Sequence, residues 1–227
     1  IIAYGPDLNM EVDGEDVKAL PWLFSGNVMN GWELRPGEKG LDAKLEPGSS
    51  EAQGHPDQWI GYFACCGVKI DEPIIANING EKRTYKFRDM LVEAQWKLYD
   101  NMEATWTLMA LASYVGPDFL PIDGTWTAKD GEVWSLERLA AMEADAGVEG
   151  AACGGAHRLY ALAIAVDQRR KAGLSMIGGW VKVEEVLNKS IADAFRFQQP
   201  DGGFSNDRFV RSSITPDIDA RIDSTGH

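Results

Sequence analysis

The chain has few residues of the types that mark several whole classes of protein. Its 227 residues include only three cysteines and three histidines, and 22 Lys and Arg stand against 35 Asp and Glu, a formal net charge of −13. Three cysteines cannot all pair and are too few for a disulfide framework. A negative field of this size repels phosphate groups and anionic lipids. We therefore expect no nucleic-acid partner and no anionic membrane surface as a partner.

Long apolar runs are also missing. No stretch approaches the roughly 20 apolar residues of a transmembrane helix, so we expect no membrane span. The first residues show no basic segment followed by an apolar one, and the sequence therefore assigns no compartment. The chain starts at Ile1 and stops at His227 with no helix or tail in its last five residues. We expect a processed chain or a piece of a longer protein.

The composition that remains is that of a globular protein, with 44% hydrophobic and 25% charged residues. Residues 1–53 are rich in Gly, Pro, Asn and Asp, which predicts a loop-rich N-terminal segment. The pattern becomes helical from residue 54 onward. We therefore expect two parts, residues 1–53 and a helical domain over residues 54–227.

The helical pattern alternates between two kinds of segment. One apolar stripe runs along residues 87–98, whereas residues 103–115 are apolar on nearly all sides and predict a fully buried helix. Further helices are predicted over residues 56–66, 136–146, 153–166 and 183–195. The segment at 153–166 is again mostly apolar, which suggests outer and inner helical layers. A polar hairpin or loop is expected around residues 74–83, but no convincing series of strands is visible, and the predicted fold class is all-α.

Two predicted helices end in similar segments, Pro121-Ile-Asp-Gly-Thr-Trp126 and Pro200-Asp-Gly-Gly-Phe204. The spacing Phe195-x-x-x-Gln199-x-x-Gly202-x-Phe204 resembles the QW repeat of squalene and hopene cyclases. With the helical pairs, the chain resembles the α/α toroid of terpenoid cyclases and protein prenyltransferases. The resemblance implies paired inner and outer helices in a partial toroid, and a Gln199 side chain that joins two helix ends. It also implies, as one candidate partner, another protein chain that completes the ring.

The catalytic motifs of those families are absent. The cyclases use an acidic D-x-D-D motif, and the nearest string here, Asp217-Ile-Asp219-Ala220, ends in alanine. The prenyltransferases hold zinc with an Asp-x-Cys pair, but Ala151 precedes Cys153 at that spacing. We therefore expect a domain that binds a small-molecule or peptide ligand in its cavity. A metal-dependent or polysaccharide-active toroid enzyme and a structural interaction scaffold remain as alternatives.

The candidate ligand-binding residues are His55, Asp57, Cys153, His157 and Arg158. Cys153 and His157 would project from one face if a helix covers both, although Gly154-Gly155 could instead place Cys153 just before the helix. Thiolate and imidazole groups suit zinc, so these two residues are the candidate metal ligands.

Other roles for these residues stay open. Cys153 could instead be a nucleophile paired with His157, or a small buried apolar residue. His55 could be a helix cap. His227 lies beside a glycine, as His55 does, and could join a metal site.

Eight tryptophans permit a carbohydrate-binding interpretation, because aromatic faces stack on sugar rings. A glycosidase would also need two facing carboxylates about 5–10 Å apart. The 35 acidic residues do not identify such a pair. The alternative is that most of the tryptophans pack between helices.

Overall fold

A computed structural model of the chain describes residue 5 and residues 7–226. The chain divides into two compact units. Unit 1 comprises Ile1–Pro121 and Thr125–Trp134, and unit 2 comprises Ile122–Gly124 and Ser135–His227. Unit 1 thus combines the loop-rich segment with the first helices. The division predicted at residue 53 stays a prediction.

Unit 1 contains hairpins as well as helices. Its helices are α1 (Ala19–Leu23), α2 (Gln58–Cys65), α3 (Phe87–Lys97) and α4 (Thr105–Ser113). Its strands are β1 (Asn9–Val12), β2 (Glu15–Lys18), β3 (Trp32–Pro36), β4 (Leu41–Leu45), β5 (Pro73–Ile78), β6 (Glu81–Lys86), β7 (Thr125–Thr127) and β8 (Val133–Ser135), the last of which ends at the unit boundary. The strands pair two by two in chain order, β1 with β2, β3 with β4, β5 with β6 and β7 with β8. This gives four separate two-stranded antiparallel sheets.

The predicted all-α fold class is therefore wrong. The chain is 42% helix and 18% strand, a mixed composition. Two hairpins turn at Asp13-Gly14 and Asn79-Gly80, where all four residues have positive φ. Asp-Gly and Asn-Gly adopt this conformation at low cost, and the resulting turn matches the twist of paired strands. Along β5 the buried residues alternate with outward-facing ones, the period of a strand with one covered face.

The core of unit 1 lies where α2 packs against α4. Every residue from Thr105 to Ala112 is buried, as the apolar pattern predicts. Gly61 on α2 permits the close approach, because a Cβ atom there would lie 2.7 Å from Cε3 of Trp106. Phe24, Trp59 and Phe63 pack ring against ring beside this contact.

Unit 2 is helical. It contains α5 (Leu136–Ala146), a 3₁₀ turn (Ala152–Gly155), α6 (Ala156–Lys171), α7 (Gly179–Phe197) and α8 (Ile218–Gly226). The Ser135 hydroxyl accepts the N–H of Arg138 at 3.1 Å and caps α5, as its position predicts. Helix α5 packs against both α6 and α7.

The predicted toroid also fails in unit 2. Helix α6, expected to be an inner helix, buries a single stripe that includes Ala161, Leu162 and Val166, and its other residues are half-buried or exposed. Its alanines made it look apolar all round, but alanine is also a good helix former on exposed faces. The expectation that the last residues form no helix is wrong too. Helix α8 reaches Gly226, and the Asp217 carboxylate accepts the N–H of Ala220 at 2.9 Å near its start.

None of the helices in the described part of the chain is both long and apolar enough to cross a membrane. For the described residues, this is consistent with the expectation of no membrane span.

Candidate functional site: a charged cleft in unit 1

Two of the five candidate ligand residues, His55 and Asp57, line one cleft of about 960 Å³ in unit 1. The β3–β4 hairpin, the loop after it and the C-terminal half of α3 form its walls, and Lys129 closes one side. We call this space the charged cleft, because most of its polar contacts join ionised side chains.

Asp57 occupies a buried position at the start of α2. Its φ is 57°, in the left-handed region, and only 5% of its side chain is exposed. The sequence places it where a carboxylate complements the helix dipole, but the side chain makes no capping hydrogen bond. Its Oδ1 instead accepts from Lys97 Nζ at 3.0 Å, and its Oδ2 accepts from Thr107 Oγ1 at 2.6 Å. The carboxylate thus ties the start of α2 to α3 and α4.

Lys97 joins Asp57 to a second carboxylate. Its Nζ donates to Asp42 Oδ1 at 2.6 Å, and the other oxygen of Asp42 lies 3.5 Å from Arg35 Nη2. Burial lowers the pKa of Lys97, but the charges of Asp57 and Asp42 outweigh this effect and hold the pKa above its ordinary value. Lys97 is therefore charged at neutral pH, and these four side chains neutralise one another.

His55 has a carboxylate partner of its own. Its Nδ1 lies 2.7 Å from Glu103 Oε1, and the side chain is largely buried. A histidine that donates from Nδ1 to a carboxylate is held in one orientation and keeps Nε2 as a proton acceptor. His55 also accepts the backbone N–H of Gln58 through its carbonyl at 3.2 Å. The imidazole can therefore bind a ligand hydroxyl or accept a proton from it.

A glycine turn fixes the wall of the cleft against α3. The buried carboxylate of Glu93 accepts the backbone N–H groups of Lys39 at 2.7 Å and Gly40 at 3.0 Å. A Cβ atom at Gly40 would lie 1.9 Å from the carbonyl oxygen of Asp89, and one at Gly37 would lie 2.1 Å from the Glu93 carboxyl carbon. Only glycine lets the hairpin approach α3 this closely, and the Glu93 hydrogen bonds hold it there.

Aromatic side chains lie among the charged ones. The indole N–H of Trp96 donates to Glu38 Oε2 at 3.1 Å, and Lys39 Nζ lies 4.5 Å from the centre of the Trp96 ring. Hydrogen bonds from Lys129 and Trp96 hold the pKa of Glu38 below its ordinary value. Trp32 and Tyr99 also line the cleft. Rings held in fixed orientations beside paired charges are suited to a ligand with both polar groups and C–H faces.

The other three candidates, Cys153, His157 and Arg158, belong to unit 2. Cys153 lies in the 3₁₀ turn before α6 with φ of 51°, so it precedes the helix and does not share a helical face with His157. Its carbonyl accepts from Arg208 Nη2 at 3.2 Å. A Cβ atom at Gly154 would lie 2.9 Å from the Asn206 carbonyl oxygen. The tight packing of this turn requires the glycine.

Arg158 links two helices of unit 2. Its Nε donates to Glu143 Oε2 at 2.9 Å, and its Nη1 donates to the carbonyl of Gly147. The Glu143 side chain is almost fully buried on α5. A buried carboxylate needs such a partner, so this arginine stabilises the packing of α5 against α6.

The described residues contain no group of three or more His, Cys, Asp or Glu side chains placed to hold a metal ion. Zinc at Cys153 and His157 therefore has no further ligand in this part of the chain and stays a prediction. His227 lies outside the described residues. None of the three cysteines forms a disulfide bond.

The segment that resembles the QW repeat forms a closed turn. The backbone N–H of Gln199 donates to the carbonyl of Gly203 at 2.9 Å, and its side chain donates to the carbonyl of Ser213 at 3.4 Å. Gln199 thus contacts the segment that leads to α8. Phe195 and Phe204 line a small apolar groove of about 350 Å³.

Sequence reasoning missed the residues that hold His55 and Asp57 in place. Lys97, Asp42 and Glu103 lie 40 or more residues from their partners along the chain, and no local motif joins them. Recognition of the β3–β4 hairpin would have placed Asp42 on a strand, but not beside Lys97.

Comparison of the chain with protein-family models, with curated proteins and with solved structures gives no match in any of the three. These comparisons therefore neither support nor contradict the resemblance to terpenoid cyclases. The function is inferred from the charged cleft itself.

Proposed function

We propose that unit 1 binds a neutral carbohydrate in the charged cleft. The observation that supports this function is the arrangement of the lining, in which ionised side chains are paired with each other next to accessible aromatic rings.

The pairing of charges favours an uncharged polar ligand. The acidic lining residues are Glu38, Asp42, Glu46, Asp57 and Glu93, and the basic ones are Arg35, Lys44, Lys97 and Lys129. Three of the four basic residues form ion pairs with acids of the same cleft. Little net charge is left to select a strongly charged ligand. Sugar hydroxyl groups both donate and accept hydrogen bonds, so they can bond to the acidic and to the basic side chains of this lining.

The aromatic residues supply the apolar half of the interaction. Tyr99 exposes 56% of its surface, and Trp32 and Trp96 lie in the same lining. Aromatic faces pack against the C–H face of a sugar ring while hydroxyl groups at the ring edge reach polar side chains. The volume of the cleft, about 960 Å³, lies at the upper end of the roughly 300–1,000 Å³ of small-molecule sites. It suits an oligosaccharide of a few residues.

Two of the five carboxylates of the cleft, Asp42 and Asp57, are placed for binding rather than for glycosidic cleavage. A glycosidase needs one carboxyl group that carries a proton and donates it. Both oxygens of Asp57 accept hydrogen bonds, and both oxygens of Asp42 face cations. Neither group is therefore available as the proton donor.

The test is titration calorimetry with neutral hexasaccharides built on glucose, mannose, xylose and N-acetylglucosamine. We expect at least one of them to bind, and we expect Tyr99→Ala to weaken its binding about tenfold, or about 1.4 kcal/mol. Tyr160→Ala is the matched control, because Tyr160 is 52% exposed and belongs to unit 2. Absence of binding by all four sugars, or equal affinities for wild type and Tyr99→Ala, would contradict the proposal.

A second candidate function is hydrolysis with His55 as general base, which the 2.7 Å contact with Glu103 favours. Wild type, His55→Ala and Glu103→Gln would be compared on chromogenic esters and glycosides. A catalytic role predicts a loss of about 100-fold or more in His55→Ala and a smaller loss in Glu103→Gln. Equal rates in the three proteins would exclude it.

A further inference from the structure

A second cavity of about 730 Å³ lies in unit 1, beside α1 and α2. Five aromatic side chains line it, and we call it the aromatic cavity: Trp22, Trp32, Trp59, Tyr62 and Phe63. Most of the remaining lining is aliphatic. It therefore differs from the charged cleft, with which it shares Trp32.

The charge of the aromatic cavity has one sign. Among the described residues that line it, Glu51 alone carries a formal charge at neutral pH. Its Oε1 accepts from the neutral side-chain amide of Asn30 at 2.8 Å. Cys66 also lines the cavity, and burial raises the pKa of its thiol, so this group is uncharged as well. Unlike Glu38, Asp42 and Asp57 of the charged cleft, Glu51 has no cationic side chain paired with it among the described residues.

Three of the five aromatic rings pack against other rings. The Trp59 and Phe63 rings have centroids 4.3 Å apart and are buried in the core. Tyr62 packs on Trp106 with centroids 4.6 Å apart. Trp22 and Trp32 are half-buried and remain accessible. The faces of such rings carry partial negative charge and attract cations, most strongly when the cation is poorly hydrated.

We propose that the aromatic cavity binds a small organic cation, an ammonium group that carries hydrocarbon substituents. The positive group would lie between the aromatic faces and the Glu51 carboxylate, and the substituents would cover Leu23, Val28 and Met29. Val28 is 89% exposed. The net charge of −13 concentrates cations near the protein, whereas an anion would meet both Glu51 and the negative faces of the rings.

The experiment is titration of the whole chain with benzyltrimethylammonium, with binding measured by calorimetry and by tryptophan fluorescence. Benzenesulfonate and benzyl alcohol serve as anionic and neutral ligands with the same ring. We expect the cation to bind at least tenfold more tightly than either. Equal or tighter binding of the sulfonate or the alcohol, or no binding of the cation, would overturn the proposal.

Two variants locate the site. Glu51→Gln keeps an oxygen for the Asn30 amide and removes the charge, and we expect it to weaken cation binding at least fivefold. Glu15→Gln is its matched control, because it makes the same change in net charge at an exposed position on β2. Trp22→Leu tests the aromatic wall. We expect it to weaken binding of the cation more than binding of benzyl alcohol. If Trp22→Leu does not fold, the cation affinities of Glu51→Gln and Glu15→Gln provide the test. Equal cation affinities of these two variants would overturn the proposal. These variants leave the charged cleft intact, so this result is independent of carbohydrate binding.

Discussion

Lys97→Met is the most informative change to the charged cleft. Methionine has nearly the length of lysine but no charge, so the packing of the side chain is largely kept. The change leaves Asp42 and Asp57, which are 10% and 5% exposed, without the ammonium group that both contact. Arg35 remains near Asp42 only, at 3.5 Å.

The expected cost follows from the burial of the three side chains. Removing one partner of a fully buried ion pair costs about 3–5 kcal/mol, because the other charge stays buried and unpaired. One third of the Lys97 side chain is exposed, and water screens part of the interaction. We therefore expect a loss of about 2–3 kcal/mol in the free energy of unfolding. The further change Asp57→Asn should restore about 1 kcal/mol, since it removes the buried charge that has lost its ammonium partner.

The pH dependence has a definite sign. The pKa of Lys97 is raised in the folded state above its ordinary 10.5, so its stabilisation is complete below pH 10.5 and is lost as the pH rises through the folded pKa. Wild type should therefore lose stability in strongly alkaline solution. The deficit of Lys97→Met relative to wild type should shrink as the pH rises through the folded pKa of Lys97, because wild type then loses the same charge.

Urea unfolding followed by tryptophan fluorescence at several pH values measures these effects. Lys44→Met is the matched control, because Lys44 lines the same cleft on β4 but is exposed. We expect it to change stability by less than about 0.5 kcal/mol. Two results would contradict this prediction: a cost of Lys97→Met no larger than that of Lys44→Met, or a deficit that is the same at pH 7 and in strongly alkaline solution.

Two further stability predictions concern the wall of the cleft and the packing of unit 2. Gly40→Ala should cost about 1–3 kcal/mol in urea unfolding, because its Cβ would overlap the Asp89 carbonyl. Gly116→Ala, which meets nothing within 4 Å, should be nearly neutral, and equal effects would contradict the close approach. Arg158→Met should cost about 1.5–3 kcal/mol by removing a charged hydrogen-bond donor from the buried Glu143 carboxylate, and Glu143→Gln in the same chain should recover part of that loss. Absence of any recovery would show that the arginine acts in another way.

Local signals explain which parts of the fold could be predicted. Helix α5 begins and ends where its sequence indicates, because Ser135 caps it and a one-sided stripe follows. The sequence indicated a hairpin or loop only around residues 74–83, although Asp13-Gly14 is as strong a turn signal as Asn79-Gly80. The hairpin strands have only three to six residues, too few for a clear alternation in a chain dominated by helical periodicity.

Only part of the candidate site could be predicted, because its residues are far apart along the chain. His55 and Asp57 stand out locally, in a Gly-His-Pro-Asp run at a helix start. Their roles depend on Glu103 and Lys97, which tertiary packing brings to them. Arg158 was a reasonable candidate for ligand binding, but the demand of a buried Glu143 carboxylate determines its position.

The indole N–H resonances of labelled protein test the central claim most directly, during titration with the tightest-binding of the four hexasaccharides. Carbohydrate binding in the charged cleft predicts that the Trp96 resonance moves in a saturable way and that the Trp32 resonance moves with it. The resonances of Trp134 and Trp180, which are fully buried, should stay in place. A Trp96 resonance unchanged at saturating sugar, or equal shifts of all the tryptophans, would contradict the account.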